Sequence, residues 1–342
     1  MFLSTLGGYH SAKAALFTSG HPIGSSAISV PTSNGLRRDA SPRSGGSARW
    51  VRGKILQGDR YTMRLGFSAW AMPQMPIDEQ VRLVASHGYQ GIELTCLPGC
   101  ATDVDVLDQA ERRRIRQLVR SASLALPSIA GHAPILEPDP AALAASFARI
   151  RAELDLAVDL AGPEGPPCVV LMGYGRSTTY EEERELIADR FYDLAEDAAK
   201  RGVTVALEFH VGQAIDRPER AIWLLERVNH PSFRLNHDVS HFDVMGYSIA
   251  DSVRPFAGRI AHTHVKDQRG RYPDHAFLTP GDGDYDYVTY LREMAEGGYE
   301  GFITVEISVL VQRSPGYDPA RAAGQSYRVL ADAFREAGLS VE

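Results

Sequence analysis

The stretch Leu235-Asn236-His237-Asp238-Val239-Ser240-His241-Phe242 follows a strand-like run and puts a carboxylate at its end, with a histidine three residues later. Three other short apolar runs end in a side chain that can bind a metal: 203–208 (Val-Thr-Val-Ala-Leu-Glu), 260–264 (Ile-Ala-His-Thr-His) and 302–306 (Phe-Ile-Thr-Val-Glu). In a parallel barrel all strand C-termini emerge on one face, so these ends would converge despite their separation in sequence. One imidazole nitrogen and three carboxylates suit a divalent ion such as Mn²⁺, Mg²⁺ or Co²⁺.

Outward from these runs the chain keeps a regular beat. Strands are expected at 65–70, 91–94, 125–131, 168–172, 203–208, 233–238, 259–265 and 302–307. Helices are expected at 76–87, 107–124, 140–161, 180–201, 217–228, 249–256, 287–296 and 319–337. The segment 140–161 carries Leu143, Phe147, Ile150, Leu154 and Val158 at i, i+3 and i+4 spacing, the pattern of one apolar helix face. Gly88 and Gly202 stand where helix stops belong. Eight strand–helix alternations predict a parallel sheet, and eight close as a (β/α)8 TIM barrel. A long loop, 266–284, precedes the seventh of these helices and is the candidate lid.

The chain has 342 residues, a size at which an α/β barrel is commonly one domain. Residues 1–62 read differently: Gly, Ser, Pro and Arg dominate, and no apolar period persists. Such a segment buries too little apolar surface to offset its ordering entropy, so it is expected to be disordered or a non-native N-terminal extension. A basic, acid-poor transit peptide and a mis-assigned start before Met63 both fit it. The catalytic domain is expected over 63–342.

The net charge of −7 is unevenly spread. Residues 1–62 carry eight Lys/Arg and two Asp/Glu, leaving 28 basic and 41 acidic residues for the remainder. A body that acidic disfavours nucleic acid and anionic membrane as partners. No apolar run approaches the roughly 20 residues that span a bilayer. Three cysteines, Cys96, Cys100 and Cys168, lack paired spacing, which argues against a disulfide framework and for a reducing, cytoplasmic setting.

Leu-Glu at 207–208, Asp-x-x-His at 238–241, His-x-His-x-Lys-Asp at 262–267 and Val-Glu at 305–306 resemble, in order, the motifs of the sugar isomerase/epimerase superfamily with the xylose isomerase-like barrel. That superfamily includes ketose 3-epimerases, hydroxypyruvate isomerases and inosose dehydratases. Pro280-Gly-Asp-Gly-Asp-Tyr-Asp286 is similar to its Pro-Gly-x-Gly-x-x-Asp stretch, and the resemblance covers about residues 64–337. It implies Glu208, Asp238, His264 and Glu306 as metal ligands. It also implies Glu208 and Glu306 as the catalytic acid/base pair. Both side chains of His262-x-His264 point one way along a strand, and the family pattern selects His264. A glutamate at one strand end more often pairs with a nearby arginine; the set of four favours ligation.

Around this set, His132, His241, Lys266, Arg269 and His210 are candidate substrate-binding residues. His241 matches a substrate-contacting histidine of the family, and packing behind a ligand side chain is its alternative. For Lys266 with Asp267 the alternative is a solvated charge pair. His210 departs from the epimerases and leaves an additional base open. Arg269 lies near a substrate arginine of the family, at an offset that does not match cleanly. Glu93, ending the second expected strand, would only orient another side chain. Trp70, Tyr174 and Phe209 would form an apolar sugar platform or pack in the core.

The resemblance implies a divalent-metal-dependent isomerase or epimerase, with Mn²⁺ favoured, acting on a keto-sugar by proton transfer through an enediolate. One alternative takes the same first step and then loses a neighbouring group. It would be a lyase or dehydratase on a keto-sugar, keto-inositol or 3-keto-glycoside. Others are an abasic-site endonuclease, which needs more ligand histidines and a basic face, and a non-catalytic sugar-binding barrel. The partner is a small carbohydrate, and a homo-oligomer is left open.

Overall fold

The computed structural model describes residues 62–341. The expected extension over 1–62 lies outside them except for Thr62, the first residue of β1. The strands are β1 (Thr62–Ser68), β2 (Gly91–Thr95), β3 (Ser128–Ala130), β4 (Cys168–Met172), β5 (Val205–Glu208), β6 (Phe233–Asp238), β7 (Ile260–Val265), β8 (Asp267–Arg271), β9 (Asp274–Leu278), β10 (Phe302–Val305) and β11 (Ser340–Val341). The helices are α1 (Ile77–Ser86), α2 (Gln109–Ser121), α3 (Pro140–Asp159), α4 (Tyr180–Ala199), α5 (Pro218–Val228), α6 (Val239–Val244), α7 (Ile249–Val253), α8 (Tyr287–Glu296), α9 (Val309–Gln312) and α10 (Pro319–Ala337).

Strands β1 to β7 pair in parallel in chain order, β10 follows β7, and β10 pairs with β1, so the eight-stranded barrel closes. Short β11 runs parallel beside the start of β1. Helix ends carry the chemistry their positions need. Asp108, Asp139 and Asp286 each accept a backbone N–H three residues on, and Pro stands in the first turn of α3, α5 and α10.

Alternation along the strands divides two cores. Outward residues such as Val205, Leu207 and Leu235 pack under the helices with Ile187, Phe191, Leu194 and Leu224. Inside, small residues Cys168, Val170 and Ala206 cluster near the strand starts. Phe302 fills that end of the barrel against two glycines. A Cβ on Gly91 would stand 2.4 Å from its ring, and a Cβ on Gly66 would stand 2.6 Å from Thr304 Oγ1. Nearer the strand ends the interior turns polar, which is unusual for buried positions and marks a site.

Three expectations change. The 266–284 loop is largely an antiparallel hairpin, β8 with β9, in register Asp267↔Leu278 through Arg271↔Asp274. Its polar, glycine-containing sequence hid the pairing. Directly after β6 the chain forms α6, because Asp238 ends the strand and caps that helix through Ser240 N. Third, strand 3 is shorter than expected, and the chain over 125–127 contributes a lone bridge, Gly91↔Ala125.

Candidate active site

The bulge between β6 and β7 sets the site. The partnering steps from Leu235↔Ile260 to Asn236↔His262, which brings Asp238 level with His264. Without that extra residue Asp238 would pair with Thr263, and the two ligand side chains would face opposite sides of the wall. Glu208 ends β5 beside Asn236, and Glu306 follows β10. One donor atom from each of Glu208, Asp238, His264 and Glu306 lies within 4.8 Å of the others, and all four residues are buried.

His264 holds the group together. Its Nδ1 is 2.5 Å from Glu208 Oε1 and 3.9 Å from Glu306 Oε1. Asn236 Nδ2 lies 3.1 Å from Glu208 Oε1 and 3.0 Å from His264 Nδ1. Asp238 divides its oxygens: Oδ1 accepts from Ser240 N at 3.1 Å and Ser240 Oγ at 2.6 Å, while Oδ2 faces Lys266 Nζ at 2.8 Å. Lys266 also donates to Glu306 Oε2. Lys266 and Asp267 are therefore not a solvated pair, since both are buried. Asp267 instead accepts the backbone N–H groups of Gly281, Gly283 and Tyr285, tying that segment to the hairpin.

Packing so many charges out of water shifts their titration. Burial would raise Glu208, but the charge on His264 dominates and holds it well below the usual carboxylate range. Burial also works against Asp238, which Lys266 and His241 bring down to about 2. In Glu306 burial prevails over Lys266 and His264, and its pKa is raised. Burial depresses His264, yet Glu93, Glu208 and Glu306 together push it well above the ordinary imidazole value.

The outer residues sort clearly. His132, on a left-handed backbone (φ 51°), puts Nε2 3.8 Å from Glu208 Oε2 and its ring edge-on to Trp70. Burial lowers its pKa to about 4. His210 Nε2 is 3.4 Å from Glu208 Oε2, and its ring centroid is 4.0 Å from that of His241. His241 Nε2 is 3.4 Å from Asp238 Oδ2, and Phe277 of the hairpin meets its ring at 4.9 Å. Arg269 is not brought to this group: it is exposed and donates to the Asp282 carbonyl. It is the central residue of β8, where the strand passes from buried to exposed. Phe209 stacks on Phe242 at 3.5 Å in the core and is no sugar platform.

Sequence reasoning missed Asn236, Ser68, Ser128 and Phe277. Asn236, Ser68 and Ser128 sit at inward period-2 positions near strand ends, a signal available in principle. Phe277 depends on the hairpin and had none.

The donor set fits a divalent ion. Three buried carboxylates lie around one imidazole nitrogen, Lys266 contacts two of them, and a divalent ion would draw the remaining oxygens together.

Together these features define a closed parallel barrel with a buried, carboxylate-rich group at its C-terminal mouth that could hold a cation. The chain belongs to the xylose isomerase-like TIM barrel family, whose model matches residues 81–335. Inosose dehydratase of Clostridium perfringens (strain 13 / Type A) is 24% identical over 172 residues, covering 46% of this chain and 55% of that protein. The chain thus spans about half the length of that curated relative. The crystal structure of the IOLI protein with a bound zinc atom superposes with a TM-score of 0.66 at 20% identity, covering 79% of this chain and 98% of that one. D-psicose 3-epimerase in the presence of D-fructose gives a TM-score of 0.64 at 14% identity, covering 81% and 100%. Among the described residues no helix is long and apolar enough to cross a membrane.

Proposed function

We propose that this protein is a divalent-metal-dependent sugar isomerase or epimerase, moving a proton beside the carbonyl of a keto-sugar. The observation that supports this is the convergence of two glutamates distant in sequence, Glu208 and Glu306, at 2.5 and 3.9 Å from His264 Nδ1. A bound divalent ion supplies electrostatic stabilisation for the negative charge that develops on the substrate's oxygens.

The residues divide the remaining work. One glutamate removes the proton from the carbon next to the carbonyl, and the other returns a proton to the opposite face or the neighbouring carbon. The family resemblance assigns both glutamates a ligand role as well, and Asp238 and His264 complete the set. Lys266, buried between Asp238 and Glu306, offsets the surplus negative charge. His132, His210 and His241 offer hydrogen bonds to hydroxyl groups at the mouth, and the hairpin residue Phe277 covers His241. Covering a reacting centre in this way keeps water from it.

A second outcome of the same first step is elimination. His210 stands 3.4 Å from Glu208 with its side chain partly exposed, where it could protonate a leaving hydroxyl or glycosidic oxygen. The similarity to an inosose dehydratase adds support for this route.

Incubation of Mn²⁺-loaded protein with a panel of keto-sugars and keto-inositols in D₂O separates these outcomes. Deuterium wash-in with an epimeric or isomeric product is expected. A dehydrated or enone product would replace the isomerase reading with the lyase one. Full turnover in excess chelator by protein free of metal would end both.

A further inference from the structure

Behind His264 lies a second buried cluster, away from Glu208 and Glu306. Glu93, midway along β2, reaches across the barrel interior to β7, three strands round the wall. It is wholly removed from solvent. Its oxygens accept the hydroxyls of Ser68 at 2.5 Å and Ser128 at 2.7 Å. They also lie 3.0 and 2.9 Å from His264 Nε2. His262 Nε2 stands 3.4 Å from Oε2 and 2.9 Å from Ser128 Oγ.

An isolated carboxylate is strongly disfavoured in such a place, and here every nearby polar group converges on it. The two nitrogens of His264 therefore address different carboxylates: Nε2 faces Glu93, and Nδ1 faces Glu208 and the amide of Asn236. A histidine that binds a metal through one nitrogen commonly gives its other N–H to a carboxylate, which fixes ring orientation and tautomer.

We propose that Glu93 is the positioning residue of His264. It accepts the Nε2–H and presents the Nδ1 lone pair to a divalent ion held with Glu208, Asp238 and Glu306. Ser68, Ser128 and His262 hold the Glu93 carboxylate in place. The assignment rests on the metal-dependent function proposed above. It adds a residue that touches neither substrate nor ion.

The test is Mn²⁺ affinity, measured by titration calorimetry on the full chain and on Glu93→Gln. The substitution keeps size and one acceptor oxygen but removes the charge. Affinity should fall by about 10–100-fold, read on ion-free variant protein that its circular dichroism shows to be folded. Equal affinity in the two proteins would overturn the assignment.

Should Glu93→Gln fail to fold, the wild-type chain still decides. Long-range ¹H–¹⁵N spectra of histidine-labelled protein loaded with Zn²⁺ should show His264 as the Nε2–H tautomer, its signals assigned by their loss in His264→Gln. A proton on Nδ1 in the loaded protein would overturn the assignment. Wild-type protein that binds neither Mn²⁺ nor Zn²⁺ removes the metal-dependent function and this role together. A wild-type site that binds normally, with unchanged affinity in Glu93→Gln, removes only the role of Glu93.

Discussion

Lys266 Nζ lies 2.8 Å from Asp238 Oδ2, and both side chains are closed off from solvent. The same ammonium also touches Glu306. Lys266 thus sets a positive charge against two of the three carboxylates, beside His264. Burial alone would lower the Lys266 pKa, but Asp238 and Glu306 more than reverse that, so it stays charged throughout the working pH range.

Lys266→Met should accordingly destabilise the metal-free protein, because it strands buried carboxylates. A loss of about 3–5 kcal/mol is typical when one partner of a buried pair is removed. Saturating Mn²⁺ should restore part of it, since the ion brings charge to the same group. Thermal melts with and without Mn²⁺ measure both effects; equal melting of variant and wild type without metal would show that Lys266 does not balance the cluster.

Glu208→Gln and Glu306→Gln keep side-chain size and a coordinating oxygen but lose the proton acceptor. Turnover should drop by ~10²–10⁴-fold in each, the range for a lost general acid or base. Metal should still bind. If the two glutamates address opposite faces of the reacting carbon, one variant should exchange substrate hydrogen with D₂O without completing turnover, and the other should do neither. Near-normal turnover in either variant would take that residue out of the mechanism.

Asp238→Asn should act in a different way. Asp238 has one oxygen committed to Ser240, so its part in turnover is to hold the ion and Lys266 rather than to move a proton. Mn²⁺ binding should weaken, and activity should recover as Mn²⁺ is raised. Activity that stays low while the site is shown to be saturated would assign Asp238 a direct role.

A pH prediction concerns Glu153 on α3, outside the site. Burial raises its pKa to about 8 despite the opposing charge of Arg149, which also faces Asp103 and Asp105. An acid with a raised folded-state pKa favours the folded state fully below its unfolded pKa, near 4.5, and loses that contribution as pH climbs towards 8. Glu153→Gln lacks this loss. Its melting temperature should match wild type near pH 5 and exceed it at pH 8, by roughly 2–4 °C for each kcal/mol gained. A constant difference across that range would mean that Glu153 is ionised in the folded protein throughout.

Much of the architecture was legible before any coordinates. Strands β4 and β6 and helices α8 and α10 fall within the ranges read from apolar runs and stop signals, because burial on both faces or on one stripe leaves a local imprint. The hairpin β8–β9 left none, because β8 (Asp-Gln-Arg-Gly-Arg) is polar throughout and carries no apolar alternation. Arg269 illustrates the limit for side chains: closeness in sequence to His264 said nothing about the direction in which β8 would turn it.

The sequence by itself determined that eight strands alternate with eight helices, and that Glu208, Asp238, His264 and Glu306 stand at or directly beside the ends of four of those strands. Both are properties of short segments, where period and end residue are set by neighbours along the chain. Only the tertiary structure decided that the β6–β7 bulge levels Asp238 with His264, that Lys266 bridges Asp238 and Glu306, and that Glu93 meets His264. Glu93 and His264 are 171 residues apart. Contacts across a barrel depend on register and closure, which every strand sets together, so no single stretch of sequence carries them.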